Sequence, residues 1–318
     1  MFNKILVPLD QSPIAECVLP HAAAFAKIYD AEVRLVHVLE CPSPTDRYQP
    51  IDPLAWKFCK AEAEAYLNNV EDRFQQIGLA PKSILLEGQP AQAIVNYARS
   101  HAINLIMMSS HGKTGLSRWN VNSVVRKILQ ASSISSFIVR AYNPAVTDLE
   151  GLRYSRLLVP LDGSLRSECV LPTAETFAQR HQASLFLSHV VVKPEIPRQT
   201  PLEPDDIELI QRFVDRNMSA AENYFQRLLK RLTVDFIPRV LVSENIAISL
   251  HQLVEDEEVD LVVISAHGHS GHSQWPFGSL TSSFIEYGTT PLLVVQDLAQ
   301  NELTLSRAEA AAQEIKGH

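Results

Sequence analysis

The segment VPLDQSPIAECVLP (Val7 to Pro20) returns as VPLDGSLRSECVLP (Val159 to Pro172), with ten of fourteen positions identical. The aspartates of the two copies, Asp10 and Asp162, stand 152 residues apart in a chain of 318. A repeat offset near half the length predicts two domains of one fold, since a domain commonly takes ~100–200 residues. The expected division is a first domain over 1–143, a linker over 144–154, a second domain over 155–297 and a tail over 298–318. Within that tail the Ala/Glu-rich stretch Glu302–Ile315 reads as a helix.

Each half alternates short apolar runs with helical patterns. Lys4–Leu9 is a compact apolar run ending at Asp10, as suits a strand buried on both faces. Ser12 followed by Pro13 reads as a helix cap and first turn, and Pro20 and Pro172 then predict kinks inside the first helix of each half. Further strands are expected at Glu32–Leu39, Ser83–Leu86, Asn104–Ser109 and Ser136–Arg140, with helices over 91–100 and 122–131. The second half repeats the order with strands at Arg156–Leu161, Ser184–Val191, Val234–Val240, Leu261–Ser265 and Leu292–Gln296. Each half also holds a long helix. In the first, Leu54, Phe58, Ala61, Ala65, Val70, Phe74 and Ile77 are spaced mostly by three and four. In the second, Ile207, Ile210, Val214, Met218, Ala221, Phe225, Leu228 and Leu232 keep that spacing throughout. Five strands and four helices in strict alternation predict an α/β fold, with helices on both faces of a parallel sheet in each of two tandem doubly wound domains.

Composition narrows the function. The formal net charge of −8 disfavours nucleic acid as a partner. No uncharged apolar run approaches the ~18–20 residues of a membrane span, and MFNKILVPLD lacks a signal-peptide layout, so a cytoplasmic protein away from membranes is expected. Cys17 and Cys169 occupy equivalent places in the repeats and read as small core hydrophobes rather than a disulfide pair.

In an open parallel sheet, ligands bind beyond the carboxyl ends of the strands where the strand order reverses. Two signals sit at such ends. One is the aspartate closing the first strand, Asp10 or Asp162. The other is the long loop leaving the fourth strand, MSSHGKTGLSRWNVNS (Met108–Ser123) and ISAHGHSGHSQWPFGS (Ile264–Ser279). Each loop leads to a serine at a helix start, and a Gly-containing loop before a helix N-terminus can hold an anion. A plain turn and cap is the competing reading of either loop alone.

These loops and the VPLD strands together resemble the universal stress protein family, and the resemblance covers almost the whole chain. The family pattern Gly-x-x-Gly, nine residues, then Gly-Ser or Gly-Thr is matched by Ser109 to Gly112 with Asn122-Ser123, and by Ser265 to Gly268 with Gly278-Ser279. The resemblance implies strand order 3-2-1-4-5 and bound ATP or ADP, with or without Mg2+. It places Pro160, Asp162 and Val190 near adenine and ribose. It sets Ser265, His267 and Gly268 along ribose and phosphates, and Gly278, Ser279, Leu280 and Thr281 on the phosphates. The first-half equivalents are Pro8, Asp10, Val38, Ser109, His111, Gly112, Asn122 and Ser123. The first half departs from the pattern at Asn122 and carries Gln11 in place of Gly163, so the second domain is expected to be the better site. The turn pattern Gly88-Gln-Pro90 is lost instead in the second half, as Ser243-Glu-Asn245.

A nucleotide-dependent regulatory module with an unidentified protein partner is the function implied. Its rivals are a scaffold that binds no nucleotide and a nucleotidyltransferase using His269-Ser-Gly-His272, which stands after the fourth strand rather than the first. His267, His269 and His272 could also hold a metal, but no carboxylate or cysteine in the loop completes a set. His37 and His189 read as hydrogen-bonded structural residues. No catalytic role is expected beyond slow incidental hydrolysis. The apolar fifth strands invite pairing of the two halves into an internal pseudo-dimer, with a homodimer as a further option.

Overall fold

The structure, a computed structural model, describes residues 2–40, 53–112, 121–141, 148–194, 204–269 and 276–297. In the first half the strands are β1 (Lys4–Pro8), β2 (Glu32–Leu39), β3 (Lys82–Glu87), β4 (Leu105–Ser109) and β5 (Ser135–Val139). They alternate with α1 (Leu19–Tyr29), α2 (Pro53–Gln76), α3 (Pro90–Ser100) and α4 (Ser123–Ala131). The second half repeats this with β6 (Arg156–Pro160), β7 (Ser184–Val192), β8 (Ile237–Ser243), β9 (Leu261–Ser265) and β10 (Leu292–Val295). Its helices are α5 (Leu171–His181), α6 (Pro204–Leu229), α7 (Ile246–Asp256) and α8 (Ser279–Tyr287).

The ten described strands form one sheet, ordered β3-β2-β1-β4-β5-β10-β9-β6-β7-β8. Within each half the order is 3-2-1-4-5 and every pairing is parallel. The halves meet where β5 and β10 pair antiparallel, Leu293 opposite Phe137. The apolar fifth strands therefore cover each other, and the internal pseudo-dimer is a continuous sheet.

Both cores run across this seam. On one face Phe25 of α1 lies 4.7 Å from Phe177 of α5 and 4.9 Å from Phe137, ring centre to ring centre. The other face buries Ile106, Ile138, Leu158, Val262 and Val294 beneath α3, α4, α7 and α8. A fully buried side chain of this size contributes ~1.5–3 kcal/mol, so the shared core binds the halves strongly.

Three expectations need correction. Pro20 and Pro172 do not kink helix interiors. A 3-10 turn (Ala15–Val18 or Ser167–Val170) comes first, and each proline falls in the first turn of the α-helix behind it. There its missing N–H costs nothing. Pro13 is in the turn before, where the Ser12 hydroxyl accepts from the Ala15 amide at 3.1 Å. Second, the α2 stripe belongs to Ala63, Leu67, Val70 and Phe74, while Leu54 and Phe58 are 61% and 67% exposed. At about 1.5 Å per residue α2 is ~36 Å long, against ~26 Å for β2, so its first turns overshoot the sheet. Third, β8 begins three residues later than expected, because Val234 and Phe236 pack into the core from the loop before it. Cys17 and Cys169 are free thiols, half-buried as expected. Burial pushes them up to about 11 and about 12, the Ser109 hydrogen bond offsetting part of the first shift and Asp297 adding to the second. The Glu302–Ile315 helix lies outside the described residues.

Candidate functional site

Each half opens a cleft at the carboxyl ends of its first and fourth strands, about 510 Å³ in the first domain and about 470 Å³ in the second. Both volumes lie in the range of small-molecule sites. The hydrogen bonds that build the clefts are repeated. After β1 the Asp10 carboxylate accepts from the Ser12 amide at 3.0 Å and its hydroxyl at 2.5 Å. After β6 the Asp162 carboxylate accepts from the Ser164 amide at 2.9 Å and its hydroxyl at 2.6 Å. The loop after the fourth strand is closed in each half by one backbone bond, Asn122 N–H to Ser110 O at 2.9 Å and Gly278 N–H to Ala266 O at 2.8 Å. That bond brings the N-terminus of α4 or α8 beside the strand end.

The glycines of these loops are required by the aspartates. A Cβ on Gly112 would overlap the Asp10 carboxylate, and one on Gly268 the Asp162 carboxylate. Asp162 also accepts the His269 amide at 2.6 Å, tying the two loops together. Burial opposes its ionisation, but the Ser164 hydroxyl, the His269 and Ser164 amides and the Ser167 hydroxyl outweigh it and hold the carboxyl below its usual range.

All eight residues expected in the first cleft line it: Pro8, Asp10, Val38, Ser109, His111, Gly112, Asn122 and Ser123. In the second, Pro160, Asp162, Val190, Ser265, Gly268, Gly278, Ser279, Leu280 and Thr281 do so. His267 does not. It is 1% exposed, and its Nδ1 donates at 2.7 Å to Asp297, itself 3.3 Å from the Arg166 Nε. His267 thus supports the loop from behind, and Ala141 takes the place of Asp297 in the first half. His111 faces its cleft and bonds to the Ser110 hydroxyl at 3.0 Å, with burial and the Arg140 cation lowering its pKa.

His37 and His189 donate from Nδ1 to the Leu9 and Leu161 carbonyls at 2.8 and 2.9 Å, as structural histidines do. His269 offers its backbone to Asp162, and His272 lies outside the described residues. Among the described residues no three His, Cys, Asp or Glu side chains gather as a metal site. Nor is any described helix long and apolar enough to cross a membrane.

Sequence reasoning missed the walls supplied by later helices. Trp56, Cys59 and Glu62 of α2 enter the first cleft, and Glu244 to Ala247, at the start of α7, close the second. Superposing Ser243-Glu-Asn245 on Gly88-Gln-Pro90 locates the latter wall. Asn245 caps α7, its Oδ1 accepting from the Ile248 amide at 3.1 Å, so the lost Gly-x-Pro turn is replaced by a cap.

The helix termini differ in one respect. Asn122 and Gly278 share a backbone conformation, φ −65°, ψ 165° against φ −69°, ψ 167°. Glycine is therefore not needed there for its freedom, and an added Cβ at Gly278 would meet nothing nearer than 3.7 Å. The side chain itself matters, because Asn122 Oδ1 accepts from the Val125 amide at 2.8 Å, occupying one of the open donors of α4. Gly278 leaves the corresponding Thr281 amide without a partner among the described residues.

Paired doubly wound units, joined edge to edge and each with a crevice at its switch point, define a tandem α/β protein of the open doubly wound sheet class. The chain belongs to the universal stress protein family, whose model matches residues 1–140 and again 153–296. A universal stress protein of Bacillus subtilis is 31% identical over 44% of this chain and 100% of its own length. One from Mycobacterium tuberculosis is 22% identical over 92% of this chain and 96% of its own. The solved structure of a universal stress protein from Archaeoglobus fulgidus matches 94% of this chain and 100% of its own, with a TM-score of 0.63 at 18% identity, and so shares the fold.

Proposed function

We propose that this chain binds an adenine nucleotide, ATP or ADP, chiefly in the second cleft, and acts as a regulatory module whose partners respond to the bound nucleotide. The observation that carries this reading is the α8 N-terminus. Ser279, Leu280 and Thr281 present three consecutive amides with no partner among the described residues, at the mouth of a cleft of about 470 Å³. Open amides at a helix start, with the helix dipole behind them, favour a phosphate. The residues fit the group, since apolar Val190 and Pro160 offer a surface for a flat base while Asp162 offers a fixed carboxylate for ribose hydroxyls. In the first cleft the Asn122 side chain competes for the same seat. In this reading the nucleotide is a signal rather than a substrate, and the fold is a switch rather than an enzyme.

Calorimetric titration with ATP and with ADP tests the assignment. The wild-type chain is expected to show one stronger site. Gly278→Asn should weaken that site roughly five- to tenfold, the equivalent of an N-cap interaction of ~1 kcal/mol or somewhat more. Asn122→Gly should strengthen the other site by a similar factor. Absence of binding in the wild type favours the nucleotide-free scaffold, and unchanged isotherms in both variants refute the role given to the helix termini.

A further inference from the structure

Beside the second cleft lies a further pocket of about 320 Å³, on the α6 side of the end of β7. The two spaces share His189, Val190 and Val192 as a common rim. The pocket is lined also by Gly163, by Asn217 and Tyr224 of α6, and by Arg227. Among the described residues Arg227 is the one charged side chain in that lining, standing 5.8 Å from the Tyr224 ring centre, and no described carboxylate lines the pocket.

The first half is built differently at the same place. Glu16 and Glu168 are equivalent, and they bind Arg73 of α2 and Tyr224 of α6 at 2.6 and 2.9 Å, which aligns the helices at an offset of 151. The buried pairs Ala63 with Val214, Val70 with Ala221 and Phe74 with Phe225 confirm the register. Most pocket positions then differ: Gln11 stands for Gly163, and on the helix Glu62, Tyr66, Asn69, Arg73 and Gln76 stand for Phe213, Asn217, Ala220, Tyr224 and Arg227. Gln11 holds a left-handed backbone at φ 65° and reaches the His37 Nε2 at 3.3 Å. Tyr66 packs on the core close to Glu16 and Asp10, whose charges add to burial in raising its phenol. Gly163 has the same left-handed backbone, φ 82°, with nothing within 4 Å of an added Cβ. Two side chains on two separate elements have thus been withdrawn from one space, and its wall cation is Arg227, where the first half has instead Arg73 paired with Glu16.

The geometry points to an extended second site that takes an adenine nucleotide carrying a second anionic group at its ribose end, that group entering the pocket of Gly163, Asn217 and Arg227. This inference rests on the nucleotide reading of the second cleft. A phosphate fits the pocket's chemistry, because Arg227 supplies charge-assisted hydrogen bonds while the Asn217 carboxamide supplies a neutral one. Among the described residues the neighbouring cleft, with Asp162 and Glu244 in its lining, offers such a group no comparable seat away from the α8 terminus.

The experiment compares AMP with adenosine 3′,5′-bisphosphate and adenosine 2′,5′-bisphosphate by calorimetry on the full chain. One of the bisphosphates is expected to bind about five- to tenfold more tightly than AMP, as a partly exposed charge-assisted contact warrants. Arg227→Met should abolish that preference while AMP affinity stays within about twofold. The pair Gly163→Gln with Asn217→Tyr, which restores the first-half residues, should do the same, and an unchanged melting temperature and AMP affinity verify that the variant is folded. Equal affinity for AMP and both bisphosphates in the wild type, or a preference surviving in the variants, overturns the extended site and leaves the nucleotide reading standing. Failure of AMP and ATP alike to bind overturns both.

Discussion

Acid should loosen the seam between the halves through one residue. His21 of α1 is 6% exposed and is hydrogen-bonded through Nδ1 to the hydroxyl of the fully buried Tyr154, at 2.6 Å. Its ring also lies 5.3 Å from Phe137 of β5. Burial lowers its pKa from 6.5 to about 3. The folded protein therefore holds a neutral imidazole where the unfolded chain takes up a proton, so this stability is full above pH 6.5 and is lost as pH falls toward about 3. Between pH 7.5 and pH 5.0 the loss from His21 alone is about 2 kcal/mol, from 2.303RT multiplied by roughly 1.5 pH units. Both pH values lie well above the folded value, so the unfolded value sets this figure. Urea unfolding at the two pH values measures it. His21→Asn places a non-titrating carboxamide near the Tyr154 hydroxyl, and its pH-dependent loss should be smaller than the wild-type loss by about 2 kcal/mol. Burial also lowers His181, with Arg153 nearby, and His251, with Arg140 nearby, but these remain in both proteins and cancel in the comparison. Equal losses in wild type and variant would refute the reasoning.

Gly268→Ala should push the Asp162 carboxylate off its Ser164 and His269 amides, costing roughly 1–3 kcal/mol of stability and most of the second site's ATP affinity. Thermal unfolding and calorimetry read the two effects, and Gly112→Ala should cost similar stability through Asp10 while leaving the second site intact. Arg140 is 3% exposed and donates to the Phe284 and Ile285 carbonyls at the end of α8, at 2.5 and 3.1 Å. Arg140→Met should lower the unfolding free energy by about 2–4 kcal/mol, since two buried carbonyls lose a charged donor, and faster hydrogen exchange at the α8 end should accompany the loss.

The parts of this protein legible in its sequence are those governed by local rules. Buried strands show as apolar runs, the fifth strands declare their need for a partner, and the repeat announces two copies of one fold. Long helices are less legible. Leu54 and Phe58 keep helical spacing yet stand in solvent, because spacing records a face and says nothing of where the sheet beneath it ends. His267 illustrates another limit. Its place beside Gly268 marks it as a ligand, but Asp297, 30 residues on, turns the ring inward, and only the fold brings that carboxylate to it.

The contrast between Asn122 and Gly278 shows why the asymmetry of the two halves needed coordinates. On the sequence the difference reads as bulk or backbone freedom, yet the two backbones coincide and the space is open. What distinguishes them is an oxygen that takes a helix amide from any incoming anion. Gln11 against Gly163 belongs to a different effect: Gln11 lines the first cleft and reaches His37, while Gly163 lines the pocket on the α6 side together with Asn217. The two halves therefore diverge at two separate places around one cleft, the N-terminus of α4 or α8 and the side facing α2 or α6. A duplicated module could change its ligand at one end without disturbing the other, since the aspartate and glycine pair at the centre is kept in both copies.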